Sequence, residues 1–84
     1  MKYRLLISID VVEFVERLPA RLRKPIRATF AGIAEDPLGC SEANDYDDTG
    51  RILNIAIVGD FALMYWIDDT DSHVKILDIH AADR

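Results

Sequence analysis

Apolar and polar positions along this 84-residue chain change period twice. Residues 3–9 alternate, with Tyr3, Leu5, Ile7 and Ile9 set against Arg4, Leu6 and Ser8, which is the two-residue period of a strand. From Asp10, a residue able to cap a helix, Val11, Phe14, Val15 and Leu18 recur at three- and four-residue spacing until Pro19 interrupts them. Proline is tolerated in the first turn of a helix and not in its interior. Pro25 therefore predicts a second helix starting between Arg21 and Lys24, with Leu22, Ile26, Phe30 and Ile33 as its apolar stripe. Asp36-Pro37-Leu38-Gly39 ends that helix, and the polar, acidic stretch Cys40–Thr49 reads as loop.

From Arg51 onward the pattern is that of strands: three apolar runs separated by Gly59-Asp60 and by Asp69–Ser72. Glycine at the first central position of a two-residue turn suits type II′ geometry. Such a turn sets Val58 against Phe61, Ile57 against Ala62, Ala56 against Leu63, Ile55 against Met64, Asn54 against Tyr65 and Leu53 against Trp66. The second loop continues the meander with Ile67 against Val74, Trp66 against Lys75, Tyr65 against Ile76 and Met64 against Leu77. The fold class predicted is α+β: an N-terminal strand, a helical hairpin, then an antiparallel three-stranded β-meander, all in one domain spanning residues 1–84.

Alternation sorts the meander into two faces. One carries Ile52, Ala56, Val58, Phe61, Leu63, Tyr65, Ile67, Val74 and Ile76; the other carries Leu53, Ile55, Ile57, Ala62, Met64, Trp66, Leu77 and Ile79. Both are apolar, yet two short helices cover only one face of a small sheet. Leaving a large apolar side chain in water forfeits ~1.5–3 kcal/mol, so the second face needs a cover. Leu53, Ile55, Ile57, Met64, Trp66, Leu77 and Ile79 are thus candidate interface residues, to be buried by a second copy of the chain or by a partner protein. The alternative is that the loop Cys40–Thr49 or the chain's own termini fold across them.

Half the residues are hydrophobic and 30% are charged, with four glycines and three prolines, which excludes disorder and low complexity. The net charge of −5 divides unevenly: residues 1–34 carry seven Lys/Arg and three Asp/Glu, residues 35–84 three and twelve. An acidic back half repels phosphates. The clustered cations are Arg17, Arg21, Arg23, Lys24 and Arg27, either the solvated outer side of the helical hairpin or a patch for nucleic acid or an acidic partner. A single cysteine, Cys40, makes no intramolecular disulfide, and no apolar run is long enough for a secretory signal or a membrane span. A cytoplasmic location and no membrane partner are the expectation.

Candidate chemistry is sparse. His80, Arg84 and Arg51 form the candidate catalytic set, His80 as general acid or base and the arginines as phosphate ligands, with Lys75 and Asp83 as possible neighbours. His73, at the edge of an acidic loop, reads as a surface side chain. One Cys and two His seven residues apart do not make a tetrahedral zinc site, and Asp45, Asp47 and Asp48 lack the glycine and glutamate of an EF-hand loop. No metal site and no cofactor are expected; P-loop and dinucleotide patterns are absent.

A strand, a helical hairpin ending in Ala34-Glu35-Asp36-Pro37, a hairpin reading Val58-Gly59-Asp60-Phe61 and Met64-Tyr65-Trp66-Ile67-Asp68-Asp69, and a last strand of the form I-L-x-I resemble the RelE/ParE superfamily of type II toxin–antitoxin toxins. The resemblance covers nearly the whole chain and implies a RelE-like fold. It also implies an antitoxin partner. RelE-like members cut mRNA on the ribosome, using basic and polar side chains on the open face of the sheet, whereas ParE-like members inhibit DNA gyrase. Carried over by position, two family arginines fall at Ile57 and Ala62, which neither neutralise a phosphate nor donate a hydrogen bond. A family histidine falls at His80 or one place later, at Ala81. The resemblance therefore implies a toxin-like protein acting mainly by binding an antitoxin or itself, with a degenerate ribonuclease site. An mRNA endonuclease using His80, Arg84 and Arg51, or a gyrase inhibitor, are the alternatives.

Overall fold

In a computed structural model that describes residues 2–82, the chain forms β1 (Arg4–Ile7), α1 (Ile9–Glu16), α2 (Ala20–Glu35), β2 (Ala43–Tyr46), β3 (Ile52–Val58), β4 (Phe61–Asp68) and β5 (His73–Ala81). The strands make one mixed sheet in the order β1-β5-β4-β3-β2. β1 pairs parallel with β5, and the remaining neighbours pair antiparallel. β1 and β2 are the two edges, so the helical hairpin that joins them has to cross a whole face of the sheet.

That crossing makes the core. Val11 and Val15 of α1 and Ile26 and Ile33 of α2 pack on Ala56, Val58, Leu63, Tyr65, Val74, Ile76 and Ile79 of the sheet. Tyr65 is fully buried at the middle of β4, and its hydroxyl donates to the Pro37 carbonyl. Ser8 rather than Asp10 occupies the N-cap position of the first helix, without a side-chain cap bond, and Asp10 sits in the first turn, where a carboxylate complements the helix dipole. The second helix begins earlier than expected, at Ala20 after Pro19, and takes Pro25 inside it. The bond this proline cannot return would have gone to the Arg21 carbonyl, on a turn where Arg21, Lys24 and Pro25 are all exposed.

Two further expectations are corrected. The stretch read as loop contains β2, whose residues Ala43–Tyr46 are all exposed. An edge strand wet on both faces carries no apolar alternation, so its pairing with β3 leaves no mark in the sequence; Asp45 faces Leu53 and Asn44 faces Asn54. The second correction concerns β5. Tyr65 pairs with Ile76 as expected, but Met64 pairs with Asp78, so a bulge places Leu77 outside the ladder. Past it the faces exchange: Ile79 pairs with Leu63 in the helix-covered core and is not an interface residue, while Asp78 and His80 turn to the open face. Burial of Ile79 in place of Asp78 accounts for the shift.

The β3–β4 hairpin has the expected register from Val58–Phe61 to Asn54–Tyr65. Gly59 adopts φ 58° and Asp60 stays outside the left-handed region, as a type II′ turn requires.

Candidate functional site

The helices leave one face of the sheet uncovered. Register places Leu53, Ile55 and Ile57 of β3, Ala62, Met64 and Trp66 of β4, and Lys75, Asp78 and His80 of β5 on it. Leu6 of β1 joins them through its pairing with Lys75 and is 41% exposed. Leu53 and Ala62 are closed over by their neighbours, whereas Ile55, Ile57, Met64 and Trp66 are half-buried and Leu77 is exposed at the bulge. β2 extends the sheet edge to edge instead of folding across this floor, although the Glu42 carboxylate reaches in to accept from the Ile57 N–H at 2.9 Å. Leu6 was missed in the sequence because it falls on the polar side of an alternating strand; the signal was a lone leucine between Arg4 and Ser8.

Trp66 is the most elaborated residue here. The Arg51 guanidinium lies 4.3 Å and the Lys75 ammonium 4.8 Å from its ring centroid. The two cations reach it from the residue that precedes β3 and from β5, on the two sides of β4. Both contacts are cation–π interactions that cover the indole while keeping positive charge at the rim. Arg51 also donates through Nε to Asp47 at 2.8 Å. The Thr49 hydroxyl, the Arg51 and Thr49 backbone N–H groups and the Arg51 charge together hold the Asp47 carboxyl down at about 2. Arg51 is thus occupied twice, by an indole and by a carboxylate.

His80 lies at the other end of the face. Its Nδ1 is 3.2 Å from the Asp78 carboxylate, and both side chains are exposed. His80 pairs with Ala62, and Lys75, beside Arg51, pairs with Trp66. Four residues of β4 separate those rows, about 13 Å at the rise of a strand. The structure therefore does not bring Arg51 and His80 together. Arg84 and Asp83 lie outside the described residues. Between the two polar ends run Ile55, Ile57, Ala62 and Met64, with no cation among them.

The basic cluster is likewise divided. Arg17, Arg21, Lys24 and Arg27 are exposed on the helical hairpin. Arg23 turns inward, where its guanidinium donates to the Leu18 and Glu16 carbonyls and closes the end of α1. Arg27 lines a small apolar groove between the helices with Ile7, Val12, Val15, Glu16 and Phe30. Among the described residues, no helix is long and apolar enough to cross a membrane.

A helical hairpin laid across one face of a small mixed sheet, with its first and last strands parallel neighbours, defines this chain as having the RelE-like fold. Its likenesses among solved structures are of that kind. The archaeal RelE–RelB complex from Pyrococcus horikoshii OT3 matches at a TM-score of 0.85 and 24% identity, over 100% of this chain and 99% of that one. The RelBE2 toxin–antitoxin complex of Mycobacterium tuberculosis matches at 0.80 and 20% identity, over 98% and 100%. The isolated RelE toxin of E. coli matches at 0.75 and 18% identity, over 98% and 86%. No family model matches the chain, and no curated relative matches it.

Proposed function

We propose that this chain is the toxin-like member of a type II toxin–antitoxin pair, and that it works by protein binding at the open face of its sheet. The observation that carries the reading is the apolar floor of Leu53, Ile55, Ile57, Ala62 and Met64 inside a RelE-like fold. Phosphoryl transfer on RNA needs preorganised donors and cations where charge develops. At the centre of this face stand aliphatic side chains and a thioether. Such a surface suits an amphipathic segment of a partner, with apolar side chains meeting Ile55, Ile57 and Met64 and acidic ones meeting Arg51 and Lys75 beside Trp66. The Pyrococcus horikoshii and Mycobacterium tuberculosis structures with this fold are toxin–antitoxin complexes, which supports an antitoxin as that partner.

An enzyme reading has one observation in its favour, the Asp78–His80 pair, in which the carboxylate orients the imidazole. The separation of His80 from Arg51 speaks against it. Both readings meet in one experiment: the chain is induced in a bacterial host alone and together with a candidate antitoxin. Co-purification of the pair, abolished by Ile55→Lys with Trp66→Glu and unaffected by His80→Ala, is the expected result. A pair that forms equally well in the double variant, or a translation block removed by His80→Ala, overturns the proposal.

A further inference from the structure

At the end of the sheet away from the Asp78–His80 pair, the β4–β5 turn gathers the Asp68, Asp71 and His73 side chains so that one ligand atom of each lies within 4.8 Å of the others. We propose that these three residues form a binding site for a divalent transition-metal ion of the zinc class, at the end of the open face where the Asp68–His73 pair follows the Trp66–Lys75 pair on the same side of the sheet.

Two carboxylates in a turn alone describe a solvated loop. What differs here is the imidazole nitrogen delivered among them by the neighbouring strand. Asp68 is the last residue of β4 and His73 the first of β5, and they are direct partners in the ladder. Their approach is therefore fixed by sheet hydrogen bonds and not by the loop. Asp71 is two residues before His73, and its N–H approaches the Asp68 carboxylate at 3.4 Å. An ion with metal–ligand bonds of ~2.0–2.2 Å brings tetrahedral ligand atoms to roughly 3.5 Å from one another. Asp68 and His73 are held in the ladder, so closing the remaining gap calls for side-chain rotation and not for movement of the strands.

The donor types select the ion. One imidazole with two carboxylates suits zinc, cobalt or nickel, whereas calcium and magnesium take oxygen ligands. An open cleft of about 420 Å³ lined by Lys2, Tyr3, Arg4, Asp71, Ser72 and His73 gives the ion a path and leaves room for water at the remaining coordination positions. Lys2 and Arg4 repel a cation there; Asp69, held by the Tyr3 hydroxyl at 2.8 Å, opposes them with a third carboxylate. The net result is a site of modest affinity that pins the β4–β5 hairpin when filled. Sequence spacing hid it, because the residues read D-x-x-D-x-H, and the approach of the first to the last comes from strand pairing.

The test is calorimetric titration of the chain with zinc chloride in a non-coordinating buffer. One equivalent bound with a dissociation constant in the micromolar range is expected, weakened at least tenfold by His73→Ala and by Asp71→Asn and unchanged by His80→Ala. These positions are at the surface, and circular dichroism checks that each variant stays folded. A cobalt-substituted sample provides a second readout, a visible ligand-field band that His73→Ala removes. No saturable zinc binding below millimolar concentration, or binding that survives His73→Ala and is lost in His80→Ala, overturns the proposal. The titration uses the chain without a partner, so zinc binding is read separately from partner binding on the same face.

Discussion

The Tyr65 hydroxyl donates a 2.7 Å hydrogen bond to the Pro37 carbonyl oxygen, 28 residues away in the chain. This bond ties the centre of β4 to the segment leaving α2, and it does so from a side chain with no exposed surface. The phenol is a polar tip on a core aromatic, and it satisfies a carbonyl of a buried proline.

Removing that donor should be costly. Tyr65→Phe leaves the Pro37 carbonyl without its partner and is expected to lower stability by ~1–3 kcal/mol, read from urea unfolding. Burial, with Cys40 and Asp36 nearby, also pushes the Tyr65 hydroxyl up to about 12 against a usual 10.0. A raised folded-state value means that the stabilisation is complete below pH 10 and is lost as pH rises from 10 toward 12, where the unfolded chain ionises first. Tyr3, raised by its bond to Asp69, adds to the loss in the same direction. Alkaline unfolding should thus be shallower in Tyr65→Phe than in the parent; identical pH profiles would exclude Tyr65 as its source.

Acid acts at the other turn. Asp47, bonded by the Thr49 hydroxyl and by Arg51, titrates at about 2 instead of 3.8. A depressed carboxyl contributes stability above its unfolded value, and that contribution disappears as pH falls from about 4 to about 2. Arg51 links Asp47 to Trp66, so indole fluorescence should change across that window. Asp47→Asn should abolish the change. Emission that is flat between pH 4 and pH 2 in the parent would show that Arg51 does not couple the two.

The bulge at Leu77 makes a prediction about two isoleucines. Ile79 is 6% exposed and packs in the core, so Ile79→Ala should cost ~2–5 kcal/mol in denaturant unfolding. Ile57, half-buried on the open face, should cost less than half as much. Equal losses would mean that β5 keeps an unbroken register.

How far the fold was legible in the sequence follows from where side chains alternate. The register of β3 with β4 could be read because Gly59-Asp60 fixes a turn type and both flanking runs are long. Helix positions Val11, Val15, Ile26 and Ile33 could be read because their spacing is helical and all four are buried. β2 could not, since an exposed edge strand with the sequence ANDY has no buried side to leave a pattern. The bulge was hidden for a different reason: Ile76-Leu77-Asp78-Ile79 satisfies either register by hydrophobicity alone, and the pairing with β4 decides. Of the candidate site, the apolar second face was visible from residue alternation. The stacking of Arg51 and Lys75 on Trp66 was not, because residues 24 positions apart meet only through β4.

The partner surface proposed for this chain is the open face of its sheet. Methyl-labelled NMR of the chain, titrated with a candidate antitoxin, locates the contact. The largest shifts are expected at the Ile55, Ile57 and Met64 methyls and at the Trp66 indole, with Ile26 and Ile33 little changed. Shifts confined to Ile7, Val12 and Val15 along the helical groove, with the Ile55, Ile57 and Met64 signals unmoved, would contradict it.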